Sequence, residues 1–122
     1  MKQVFRAAPP NGIFFLEDTV QGKSPEIDDR PVAVWSTRSC IIVGCLPWVD
    51  GETEMIVSSS AEDVLPTAPI FDGVLETPNR VFRVSTSEKE TLLTMPVSTH
   101  FTRVRVWTNH SICPDRILVV LG

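Results

Sequence analysis

Residues 101–107 read Phe-Thr-Arg-Val-Arg-Val-Trp, the clearest period-two pattern in the chain. Thr102, Val104 and Val106 fall on one side of an extended strand, and Phe101, Arg103, Arg105 and Trp107 on the other. The first side suits a core. The second interleaves aromatics with cations, and needs either the protein's own carboxylates or a partner to cover it. Working outward, Asp115–Leu121 follows a polar connection at 108–114. Its Ile117-Leu118-Val119-Val120-Leu121 is apolar on both sides, which places it in the middle of a packed layer.

Upstream, the pattern is one of short strands divided by turns. Strands are expected over Lys2–Ala7, Ile13–Leu16, Val32–Trp35, Ser39–Gly44, Glu52–Ser58, Ile70–Glu76, Val81–Ser85 and Glu90–Met95. Cys40-Ile41-Ile42-Val43 is apolar throughout and predicts a strand covered on both faces. Asp50-Gly51 between two such runs predicts a type I′ hairpin, because both central residues of that turn need positive φ. Ser59 with Glu62 and Ser60 with Asp63 have capping-box spacing, and Pro66 limits any helix there to one or two turns. Together these elements predict an all-β, single-domain antiparallel β-sandwich spanning residues 1–122, with a partly closed β-barrel as the alternative. A chain of 122 residues buries enough surface to fold without a metal or disulfide staple.

Composition narrows the function classes. The chain is 43% apolar and 21% charged, with formal net charge −4. Residues 1–90 carry a net −6 and residues 91–122 a net +2. An acidic total argues against direct nucleic-acid binding, which needs clustered Lys and Arg. No apolar run approaches the ~20 residues of a membrane span, and Met1–Arg6 lacks the apolar centre of a signal peptide. Three cysteines, Cys40, Cys45 and Cys113, make an odd number with no C-x-x-C pair. A cytoplasmic location with reduced, mostly buried thiols is the expectation.

No reaction is written in the sequence. His110, Cys113 and Asp115 crowd into one loop, whereas nucleophilic triads converge from separate elements in fixed geometry. Two histidines and three scattered cysteines give no zinc spacing. Phosphate-loop, dinucleotide and nucleophile-elbow motifs are absent. The expectation is a non-enzymatic protein with no cofactor and no metal. Two stretches remain as partner-binding candidates. One is the loop at 17–30, where Glu17, Asp18, Glu26, Asp28 and Asp29 face only Lys23 and Arg30. It is either a solvated surface or an acidic patch for a basic partner. The other is Arg103, Arg105 and Trp107, either a binding face or a ladder opposite Glu52/Glu54 or Glu88/Glu90.

Met95-Pro96, then Phe101–Thr108, then the closing apolar strand Ile117–Leu121 resembles the end of the competence protein J family. Phe14-Phe15-Leu16-Glu17-Asp18 is similar to that family's early aromatic strand and its following acid. Val97-Ser98-Thr99-His100 stands where the family carries a glycine. The resemblance is confined to the C-terminal third with this short addition. It implies a small cytoplasmic inhibitor that binds and silences a nuclease. The partner expected is therefore a protein, basic in character, such as a nuclease or toxin. The different class to weigh against it is a small-molecule or carbohydrate-binding sandwich, lined by Trp35, Trp48 or Trp107.

Overall fold

The computed structural model describes residues 1–19 and 22–122. Ten strands form in chain order: β1 (Lys2–Ala7), β2 (Ile13–Glu17), β3 (Val34–Ser36), β4 (Ile41–Gly44), β5 (Thr53–Ser58), β6 (Phe71–Glu76), β7 (Val81–Ser85), β8 (Thr91–Pro96), β9 (Phe101–Thr108) and β10 (Arg116–Leu121). They make two five-stranded sheets, ordered β1-β5-β10-β9-β6 and β3-β4-β2-β7-β8. Among the described residues no strand joins the sheets into one, so the fold is a sandwich and not a closed barrel. All pairings are antiparallel except β5–β10, which is parallel. The described residues contain no α-helix, and none therefore long and apolar enough to cross a membrane.

The core follows from the alternation. Val104 and Val106 of β9 meet Ile117, Val119 and Leu121 of β10 and Met55 and Val57 of β5. The other sheet supplies Phe14, Leu16, Ile41, Val43, Phe82, Val84, Leu93 and Met95. Thr102, on the same side of β9, is buried with its hydroxyl 2.9 Å from that of Thr77. The doubly apolar β10 lies at the centre of its sheet.

Cys40–Val43 is covered on both faces, as its composition requires. Ile41 and Val43 enter the core, while Cys40 and Ile42 are equally buried but outside that cluster. The segment after β2 lies close to this face. Lys23 N donates to Ser39 Oγ at 2.8 Å, Thr37 Oγ1 donates to Lys23 O, and Trp35 Nε1 donates to Asp28 Oδ1 at 3.2 Å.

Two local expectations are corrected. Asp50-Gly51 is not a type I′ hairpin, because β4 and β5 belong to different sheets and have no ladder to share. Trp48–Asp50 instead forms a 3-10 turn closed by Asp50 N to Pro47 O at 2.9 Å. Gly51 follows at φ +125°, a conformation that favours glycine. The Ser59–Asp63 capping pairs reduce to a single 3-10 turn, Ala61–Asp63, in which Ser60 Oγ accepts from Glu62 N at 3.2 Å.

Cys40 and Cys45 are buried free thiols, and Cys113 is free and exposed. Burial, with Glu17 nearby, pushes the Cys40 thiol up to about 12, and burial raises Cys45 as well. A thiol reagent in native buffer should therefore modify Cys113 first and spare the other two until denaturant is added. Equal labelling of all three in native buffer, or a disulfide by mass, would contradict this packing.

Candidate interaction surface

The acidic stretch splits into three environments. Glu17 ends β2 and is 5% exposed. Its Oε1 accepts from Arg83 Nη2 at 3.2 Å and its Oε2 from Gly22 N at 3.0 Å. Asp18 is 2% exposed and accepts from Asn79 N at 2.8 Å, Asn79 Nδ2 at 2.9 Å and Val81 N at 3.4 Å. Asp28 is exposed but held by Arg30 Nε at 2.8 Å and by Trp35. The Arg30 guanidinium is the main reason its carboxyl lies below the usual range. Glu26 and Asp29 are exposed.

The stretch, read as either a solvated surface or an acidic patch for a basic partner, is thus not uniformly exposed. Glu17 and Asp18 are buried carboxylates that tie the loop to β7 and to the turn before it. Residues 20 and 21 of the expected loop lie outside the described residues.

The β9 stripe divides as well. Phe101 is 64% exposed. Arg103 donates to both oxygens of Asp72, Nε at 3.0 Å and Nη2 at 2.8 Å. Asp72 and Arg105 are cross-strand partners, and Arg103 sits opposite Val74, so this fork reaches diagonally across the β6–β9 ladder. Glu52/Glu54 and Glu88/Glu90 are not the partners, because β5 is two strands away and residues 88–90 join strands of the other sheet. Glu54 pairs with Arg6 instead, at 3.3 Å. Arg105 Nη2 donates to Gly122 O at 2.9 Å. Trp107 has the outward parity expected but is only 6% exposed. Its Nε1 donates to Thr67 O at 2.9 Å, so the proline-containing segment before β6 lies against it.

What remains open on this face is compact. Glu76 sits opposite Phe101 and Val74 opposite Arg103, with Val74 58% exposed. Phe101 and Val74 are therefore exposed apolar neighbours flanked by Glu76 and the Asp72–Arg103 pair. Phe101 also walls two clefts. One, of about 510 Å³, is lined with Asp18, Lys23, Glu76, Pro78 and His100. The other, of about 350 Å³, is lined with Val97, Arg103 and Leu121. The two sequence candidates thus meet: Asp18 near the start of the acidic stretch and Phe101 at the start of β9 face one cleft. Val74 escaped the sequence reading. The signal available was the alternation of Asp72, Val74 and Glu76 against Phe71, Gly73 and Leu75.

The crowded loop at 109–115 does not build a triad. The Asp115 carboxylate accepts from Asn109 Nδ2 at 2.5 Å rather than from His110. Among the described residues no group of three or more His, Cys, Asp or Glu could hold a metal ion. The three tryptophans are dispersed: Trp35 bonds Asp28, Trp48 is exposed on its 3-10 turn, and Trp107 is buried.

No family model matches the sequence, and neither does any curated protein. Two solved structures share the fold. The chain is similar to the crystal structure of ComJ, inhibitor of the DNA degrading activity of NucA, from Bacillus subtilis, with TM-score 0.68. That match is 7% identical in sequence and covers 98% of this chain and 93% of the other. It is also similar to a chain titled crocagin biosynthetic gene J, with TM-score 0.53 and 12% identity over 99% of this chain and 97% of the other. The resemblance read from the C-terminal third therefore extends, as a likeness of fold, over nearly the whole chain.

Proposed function

We propose that this chain is a small cytoplasmic, non-enzymatic protein that acts by binding another protein, as an inhibitor or immunity-type partner of a nuclease or toxin. The observation that carries the reading is the surface at Phe101. An exposed aromatic and an exposed valine lie diagonally across paired strands, with an ion pair at their rim and a cleft beside the aromatic. Aromatic and arginine anchors surrounded by polar groups are what protein interfaces use for affinity. The fold likeness to ComJ supports the inhibitor class, and the net charge of −4 suits a basic partner.

The test begins with capture of the partner from the protein's own cells, followed by a DNA-degradation or toxicity assay of what is captured. Adding this chain should abolish that activity. Phe101→Ala should raise the dissociation rate by roughly tenfold or more, the usual effect of removing an interface anchor. Neutralising Glu26 and Asp29 should instead lower the association rate and its salt dependence. A partner with neither activity, or a Phe101→Ala protein that dissociates at the parental rate, would refute the reading.

A further inference from the structure

Each sheet has two edge strands, and the edges differ in how they are protected. β3 is only three residues long. β8 ends on Pro96, and its Thr94 O already accepts from Gln3 Nε2 at 3.0 Å. Short length, proline and an occupied carbonyl each hinder strand addition. β1 and β6, the edges of the other sheet, are six residues long and contain no proline. We infer that β1 of one molecule adds to β6 of the next, joining copies of this chain head to tail through one continuous sheet.

Backbone groups are free on both edges. Ser59 N donates to Met1 O at 2.9 Å, so by the alternation of an antiparallel ladder Lys2, Val4 and Arg6 turn their N–H and C=O away from β5. Thr77 N donates to His100 O at 2.7 Å on the β9 side, so Asp72 and Val74 turn theirs away from β9. Among the described residues nothing hydrogen-bonds to the main chain of Val4, Arg6, Asp72 or Val74 on those outward sides. Glu76 N, the next outward group, is closed by Arg38 O at 2.8 Å. Asp72 and Val74 therefore offer their donors and acceptors to Arg6 and Val4 of another molecule. Direction fits as well. Of the four steps from β1 to β6, only β5–β10 is parallel, so the two edges run opposite ways. A molecule displaced sideways lays its β1 antiparallel against β6, with the outer faces of both sheets on the same side.

The side chains then match position by position. On the outer face β1 presents Lys2, Val4 and Arg6, with Val4 56% exposed, and β6 presents Asp72, Val74 and Glu76. Antiparallel addition sets Arg6 opposite Asp72, Val4 opposite Val74 and Lys2 opposite Glu76, an apolar contact between two pairs of opposite charge. Glu76 has no ion pair of its own among the described residues, and Arg38 approaches it through a backbone carbonyl. Lys2, Arg6 and Asp72 are themselves exposed, and their pairs with Asp63, Glu54 and Arg103 are weak enough to be shared or exchanged. The same charges reject the symmetric alternatives. Two β6 edges about a two-fold axis would set Asp72 opposite Glu76, and two β1 edges would set Lys2 opposite Arg6. Only unlike edges attract, so the contact is head to tail and the row of copies stays open.

The test is sedimentation of the whole chain over rising concentration, with amide exchange by NMR to locate the contact. At low salt the parental protein should associate reversibly, with a Kd at or below about 1 mM. Exchange at the Val4, Arg6, Asp72 and Val74 amides should slow as concentration rises. Arg6→Glu and Asp72→Arg should each weaken association about tenfold. An equimolar mixture of the two variants should recover it, because every edge then meets a complementary one. Val74→Pro should remove association without unfolding the domain, since the N–H it loses makes no ladder bond. The contact requires only the chain itself, so its outcome is separate from that of the Phe101 surface and its partner. A parental protein that stays monomeric at about 1 mM, a mixture no better than its components, or protection at β3 or β8 in place of β1 and β6 would overturn the assembly.

Discussion

Val104→Asp is expected to abolish the folded state, with a loss of more than about 4 kcal/mol. Val104 is fully buried, opposite Leu121 of β10 and Gly73 of β6, and packs within the cluster that spans both sheets. Its neighbours there are apolar, so a carboxylate would have neither water nor a donor. Most domains of this size hold about 5–15 kcal/mol in total, so one such charge removes much or all of the margin. Val119→Asp should do the same, since Val119 lies between Val57 and Val106 in the parallel and antiparallel ladders. Arg103→Ala, one residue away on the other face, should leave the denaturation midpoint nearly unchanged, because its pair with Asp72 is solvent-exposed. Denaturant melts by circular dichroism decide the matter. A cooperative, native-like melt for Val104→Asp would mean that the opposite face of β9 is the buried one.

That prediction was already available from residues 101–107, and the reason is physical. A strand half-buried in a sheet imprints its burial as a period of two, and β9 keeps that period for six residues, up to Val106. The apolar runs at Ile41–Val43 and Ile117–Leu121 are equally legible, since covering both faces demands apolar residues at every position. Pairing order is a different kind of information. β5 runs parallel to β10, joining Met55 to Ile117, and no local motif encodes a contact at that separation. The Asp50-Gly51 error has the same origin. The dipeptide favours a reversal, but whether the reversal returns to the same sheet depends on partners elsewhere in the chain.

The candidate surface was legible to the extent that its residues lie on β9. Phe101 and Arg103 face outward as the alternation demands. Trp107 has the same parity, and its cover comes from Thr67, forty residues earlier in sequence. Glu17 and Asp18 read as the start of an acidic loop because their partners are far off: Arg83 lies 66 positions away and Asn79 lies 61. A charged residue at the end of an apolar strand is ambiguous until the strand's neighbours are known. Here those neighbours convert two apparent surface charges into buried, hydrogen-bonded ones.

Asp18→Ala should destabilise the protein by about 2 kcal/mol at neutral pH, and the loss should vanish in acid. Burial by itself would raise the Asp18 pKa. Hydrogen bonds from the Asn79 side chain and backbone, from Thr19 and from Val81 N outweigh it, holding the group at about 2 against an ordinary 3.8. The carboxylate thereby fastens the end of β2 to the turn that launches β7, where Arg80 takes a left-handed φ of +57°. Because the folded value is the lower one, the stabilisation is complete above the unfolded value near 3.8. It then declines as pH falls through about 2. Asp28, Asp63 and Asp72 are also held low by their hydrogen bonds, so the parental protein alone cannot isolate one group. The difference between parental and Asp18→Ala midpoints can, since those three contributions are common to both. Urea midpoints measured from neutral pH down to about pH 2 should converge across the acidic end of that range. A gap that stays constant throughout would show that Asp18 acts through packing alone and that its charge contributes nothing.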